Sequence, residues 1–118
     1  GAIAMFVNDD HCVTKTVSSG PWKPGQFKIT DCGRVGIVVG ASEFKDGEKA
    51  TLCLKGRVRV KGGATLAAGA VASIHPTNQT ALAAGASGAT NAGIVLVGGS
   101  SGANFEIDLN EFPYTAPA

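Results

Sequence analysis

No charge of either sign dominates this sequence: its 118 residues carry 10 Lys+Arg against 9 Asp+Glu, a formal net charge of +1 at pH 7. A chain that coats polyanions is normally far more basic, so wholesale nucleic-acid binding is disfavoured. Aromatic residues are scarce at 6% and charged residues at 16%, which leaves little material for base-stacking platforms or a densely charged surface. No apolar run is long enough to cross a membrane; the longest stretch of small residues, around 62–74, is mostly Gly and Ala. The amino end lacks the basic–apolar–small pattern of a signal sequence. Three cysteines, Cys12, Cys32 and Cys53, lie 20 and 21 residues apart. None is at CxxC spacing, which argues against a zinc knuckle or a thioredoxin-type site. An odd count also argues against a secreted disulfide scaffold. The expectation is a soluble chain with three unpaired, reduced thiols, folded in a cytosolic compartment.

What is present is glycine, 17 residues, with five prolines. A chain of 11.8 kDa buries about 65% of its unfolded surface by size scaling, enough for one modest core. The punctuation predicts short elements. Residues 1–20 read as an N-terminal arm, with a turn signal at Asn8-Asp9-Asp10. Gly20-Pro21-Trp22-Lys23-Pro24-Gly25 fixes a rigid turn around the only tryptophan, and ordered structure is expected to begin after it. Phe27–Thr30 is a strand candidate, and Asp31-Cys32-Gly33 a turn. Val35–Val39 is apolar on both faces and so is expected at the centre of a sheet.

From Ala50 to Val60 the sequence alternates with period two, which predicts one long strand. Ala50, Leu52, Leu54, Val58 and Val60 face a core, while Lys55, Arg57, Arg59 and Lys61 form a row of cations on the other face. Gly56 marks a bulge or bend in that strand. The Ala-rich stretch 65–90 has helical propensity, but Gly69, Pro76, Gly85 and Gly88 interrupt it and favour short strands and turns. Its echo of Leu66–Ala70 in Leu82–Ala86 is no repeat architecture in a chain so rich in Ala and Gly. Gly93–Val97 reads as a buried strand and Gly98–Gly102 as a hairpin loop. Phe105, Ile107 and Leu109 alternate with polar residues in a last half-buried strand. The fold class is therefore all-β: a small β-barrel or sandwich of short strands with extended N- and C-terminal arms. Its division is an arm over 1–20, a β domain over 21–110 and an extended tail over 111–118.

Catalytic constellations are wanting. His11 and Cys12 are neighbours that point apart on an extended chain, and His75 has no carboxylate near it in sequence. Asp9, Asp10, His11 and Cys12 mix hard and soft donors that suit no single metal. Glu106 and Asp108 share a solvated strand face, and the Gly98–Gly102 loop lacks the lysine and following helix of a phosphate cradle. Neither an active site nor a cofactor or metal is expected. The cation row stands above this background. It reads either as a solvated sheet face or as a contact for an acidic protein surface, and because its interleaved residues are not aromatic a specific nucleic acid is disfavoured.

Taken in order, several segments resemble the small capsid cement, or decoration, proteins of tailed bacteriophages. They are Ser18-Ser19-Gly20 through Gln26-Phe27, Gly33-Arg34-Val35-Gly36-Ile37-Val38, and Asp46-Gly47-Glu48 through Gly56-Arg57-Val58. Gly93-Ile94-Val95-Leu96 and Ser101-Gly102 with Phe105–Leu109 complete the set, so the resemblance runs from about Gly20 to Leu109. It implies a non-enzymatic homotrimer, made in the host cytoplasm and added to the outside of the expanded phage head. There it bridges neighbouring major capsid proteins against DNA pressure. Contact candidates are Met5, Phe6 and Val7 on the arm, Trp22 in the rigid turn, and Lys55, Arg57, Arg59 and Lys61. The Gly20–Gly25 segment bearing Trp22 and both terminal arms depart from the family pattern. The alternative is a virion-surface β-barrel module that binds a polyanion or a host glycan.

Overall fold

Glycine-punctuated apolar runs become nine strands in the computed structural model, which describes residues 11–113. They are β1 (Cys12–Thr16), β2 (Phe27–Ile29), β3 (Val35–Val39), β4 (Lys49–Cys53), β5 (Gly56–Gly62), β6 (Val71–His75), β7 (Thr80–Ala83), β8 (Thr90–Val97) and β9 (Asn104–Leu109). No helix forms among the described residues, and the fold is all-β.

The strands divide into a four-stranded antiparallel sheet, β1-β4-β3-β2, and a closed barrel, β5-β7-β6-β8-β9. β3 lies inside the sheet with Val35, Gly36 and Val38 buried, as its two-sided apolarity predicts. In the barrel, β5 pairs β9, β9 pairs β8, β8 pairs β6 and β6 pairs β7, all antiparallel. The ring closes through a short parallel contact in which Lys61 meets Thr80 and Gly62 meets Ala81. Five strands leave a narrow interior, which suits small inward-facing residues. Ala72, Ala81 and Ala92 are fully buried where larger side chains would not fit. At Gly62 a Cβ would collide with the Phe105 ring, so a glycine is required for that ring to fill the barrel.

Two cores hold the halves. Val17, Trp22, Val38, Ala50 and Leu52 pack with Phe44 on one side of the sheet. The other core is shared: Phe27 and Val35 of the sheet join Val58, Val60, Ile74, Val95, Phe105, Ile107 and Leu109 of the barrel. Two side chains stitch this boundary. The Gln79 carboxamide accepts the Phe27 N–H at 2.6 Å and donates to the Phe27 carbonyl at 2.9 Å, standing in for a neighbouring strand at the edge of β2. Asn110 Nδ2 donates to the carbonyls of Val35 and Leu54, at 2.8 and 2.7 Å.

Three sequence expectations are corrected. First, residues 11–19 are no arm: β1 pairs along its whole length with β4, and Val17 is buried. Second, 50–60 is not one strand. β4 ends at Cys53 and β5 starts at Gly56, whose φ of 122° turns the chain out of the sheet and into the barrel. Third, Cys12 and Cys53 are joined in a disulfide, while Cys32 is free and exposed. The cause is register. Leu54 N–H donates to the His11 carbonyl, so the adjacent opposed pair, Cys12 and Cys53, falls at a non-hydrogen-bonded position. Side chains are closest there, and the Cα atoms stand 4.0 Å apart.

Candidate functional surface

Val58 and Val60 point into the barrel, so Arg57, Arg59 and Lys61 point out of it, and all three are exposed. Lys55 lies just before the strand and is exposed too. The four cations thus lie exposed along β5 and the bend before it, but not as four equals. Antiparallel pairing sets Arg57 opposite Asp108, Arg59 opposite Glu106 and Lys61 opposite Asn104. Lys55 Nζ reaches Glu111 at 3.1 Å, and Arg57 Nε donates to Glu106. Arg59 and Lys61 form no ion pair among the described residues. Next to Glu106, the bulged end of β8 exposes Leu96 and Val97, at 38% and 41%. The run 93–97, read as buried throughout, buries Val95 and turns these two outward. The surface therefore combines two unneutralised cations with an apolar rim, a make-up suited to a protein partner.

Trp22 is placed differently from the expectation of an exposed contact. It is only 5% exposed, and its backbone exchanges hydrogen bonds with Phe44 while its indole N–H donates to the Ser18 carbonyl at 3.1 Å. The turn that carries it lies against the sheet, where the ring packs with Val17, Val38, Ala50, Leu52 and Phe44. Lys28 lies 5.0 Å over the indole ring, and partial burial pushes its pKa down. Met5, Phe6 and Val7 lie outside the described residues, as do Asp9 and Asp10.

His75, by contrast, is engaged in structure. His75 Nδ1 accepts the N–H groups of Thr77 and Asn78, both at 3.3 Å, which caps the turn after β6. Among the described residues no group of three or more His, Cys, Asp or Glu side chains is placed to hold a metal ion. A groove of about 250 Å³ runs between β1 and the β2–β3 turn, lined by Val13, Thr14, Lys15, Thr30, Asp31 and Cys32. In it the Cys32 thiol is pulled below its ordinary pKa, first by the Thr30 hydroxyl 3.1 Å away and then by the backbone of Arg34. Lys15 spans the same groove, donating to the Ile29 carbonyl at 2.9 Å and pairing with Asp31 at 3.1 Å. Sequence reasoning missed this groove because it is built by the curl of a sheet whose first strand was read as an arm.

No helix among the described residues is long and apolar enough to cross a membrane. Comparison with family models, curated proteins and solved structures gives no match.

Proposed function

We propose that this chain is a structural decoration protein that binds the outer surface of an expanded phage head as a homotrimer, bridges neighbouring major capsid proteins and has no catalytic role. The observation that carries the reading is the outer face of β5 and β8. A stiff barrel holds Arg59 and Lys61 without ion-pair partners, beside exposed Leu96 and Val97. The resemblance over Gly20–Leu109 supplies the partner and the site of action. A trimer would present this face three times, and linked weak contacts multiply affinity without any one being large. Trp22, being buried, is dropped from the contact set; Lys55 and Arg57 are secondary to Arg59 and Lys61 because each already has a carboxylate.

Co-sedimentation with emptied, expanded phage heads tests the reading. The wild-type chain is expected to pellet with the heads, and Arg59→Glu/Lys61→Glu to remain in the supernatant at the same concentration. Equal pelleting of the two would remove the surface from the mechanism. Light scattering on the free protein should give a mass near three times 11.8 kDa. The unpaired cations also favour a second reading, a polyanion-binding module. Retention on heparin that collapses between 50 and 200 mM salt, about a thousandfold or more for a many-contact site, with no binding to heads, would select it.

A further inference from the structure

We infer that His75 is an acid-sensitive clasp on the β6–β7 turn, which holds Thr77 and Asn78 while its imidazole is neutral and frees them when the ring takes up a proton. The clasp is independent of the proposed role on a phage head. Its basis is one acceptor shared by two donors. The turn runs from Pro76 to Gln79, between the end of β6 and the start of β7, and its tip, Thr77 and Asn78, is exposed. Both tip N–H groups converge on His75 Nδ1, at 3.3 Å each. Neither donates to any other group among the described residues. Only an unprotonated ring nitrogen can accept them. A proton on Nδ1 turns the shared acceptor into a third donor and sets a positive charge beside the other two, so both bonds are lost together.

The base of the turn is held without the ring. Gln79 N–H donates to the His75 carbonyl at 2.7 Å, and the Gln79 carboxamide is tied to Pro76 and Phe27. Protonation therefore opens the tip and leaves the base closed. The surroundings make His75 the one group through which acid acts here. From 62 to 105 the sequence holds no Asp, Glu, Lys, Arg, Cys or Tyr, and His75 is the only histidine in that stretch. The barrel elements beside the ring thus bring it no charge: β7, β8 and the 84–89 segment, in which a Cβ at Gly88 would stand 3.1 Å from His75 Nε2. β2, joined to the turn through Gln79, brings Lys28, whose ammonium lies 5.0 Å over the Trp22 ring instead. No carboxylate pairs with His75 among the described residues.

NMR relaxation gives a test with an internal control. The pH is lowered from about 8, in the range where histidine ordinarily changes charge, until the His75 ring resonances report the proton. With the ring neutral, the backbone order parameters of Thr77 and Asn78 should lie near the rigid value of about 0.85; with it protonated they should fall below about 0.6. Gln79, Phe27 and the β5–β9 amides should stay rigid throughout. His75→Asn, whose side-chain carbonyl can accept the same N–H groups and does not titrate, should keep the tip rigid at both pH values, and its spectrum tells the His75 signals from those of His11. His75→Ala should leave the tip mobile at both. If that variant does not fold, the wild-type and His75→Asn comparison decides alone. A tip that stays rigid beside a protonated ring would overturn the clasp, as would a ring that takes up no proton before the whole domain unfolds. So would an acid-loosened tip in His75→Asn, or loss of order at Gln79 and Phe27 together with the tip, which would make the change a general acid unfolding.

Discussion

Asn110 and Gln79 illustrate how much of this fold rests on single side chains at unusual backbone positions. Both adopt φ of 58°, and both direct a carboxamide across the boundary between sheet and barrel. Asn tolerates the left-handed region better than most residues. Asn110→Ala would leave the carbonyls of Val35 and Leu54 short of a donor and place a Cβ-only residue in that strained conformation. A loss of about 2–4 kcal/mol is expected in urea denaturation. Asn110→Gly, which keeps the backbone relaxed, should lose less, and the difference between the two variants isolates the strain. A second residue-scale prediction concerns Cys32. With its pKa lowered chiefly by the Thr30 hydroxyl, its thiolate forms at lower pH than that of a free cysteine. The pH profile of iodoacetamide alkylation should therefore have its midpoint below that of a free cysteine. Thr30→Val should move the midpoint upward, and a midpoint that did not move would assign the shift elsewhere.

At the scale of elements, β1 decides how the amino end can be cut. Deleting residues 1–10 leaves β1, Val17 and the disulfide in place. Deleting 1–19 removes all three. The disulfide closes a loop with a sequence separation of 41, worth about 4 kcal/mol in the chain-entropy account. Burial of Val17 adds about 1.5–3 kcal/mol. The longer deletion should accordingly lower the midpoint by well over ten degrees, read by circular dichroism, where the arm interpretation expected no change. The reason β1 escaped the sequence reading is physical. Val13–Ser19 contains no large core residue, and an edge strand fixed by a ladder and a disulfide needs none. The break at Gly56 was equally hidden, because the inward–outward alternation of 50–60 continues in phase while the chain changes sheets. β3 and β9 were legible because both are buried against neighbours and carry the pattern in their own residues. Lys55, Arg57, Arg59 and Lys61 all point outward as the alternation predicts, but that Glu111 and Glu106 neutralise only Lys55 and Arg57 depends on the β5–β9 register, which alternation alone does not fix.

For the molecule as a whole, the shared core makes sheet and barrel one cooperative body. Phe27 belongs to the sheet by its backbone and to the barrel's core by its ring. Phe27→Ala should cost about 3–5 kcal/mol, and it should lower a single unfolding transition seen alike by far-ultraviolet circular dichroism and by Trp22 fluorescence. Two separated transitions would mean that the halves are independent. The tryptophan is a fit reporter because it lies in the sheet's own core, away from the barrel. Charge reversal at Arg59 and Lys61, by contrast, touches exposed groups and should change stability by no more than about 0.5 kcal/mol. A loss of head binding in that variant would then be a loss of contact.

The position of the disulfide also sets how the chain carries mechanical load. Tension applied to the described chain at His11 and Pro113 enters at Cys12 and crosses directly to Cys53, passing on through Gly56 into β5 and the barrel. β2, β3 and most of β4 lie outside that path, so the sheet with its tryptophan core bears no pull while the bond is intact. The 41-residue loop corresponds to roughly 140 Å of contour length at about 3.4 Å per residue. A single oxidised molecule stretched to its limit should be shorter than a reduced one by that amount, with the barrel the part that takes the strain while the bond holds.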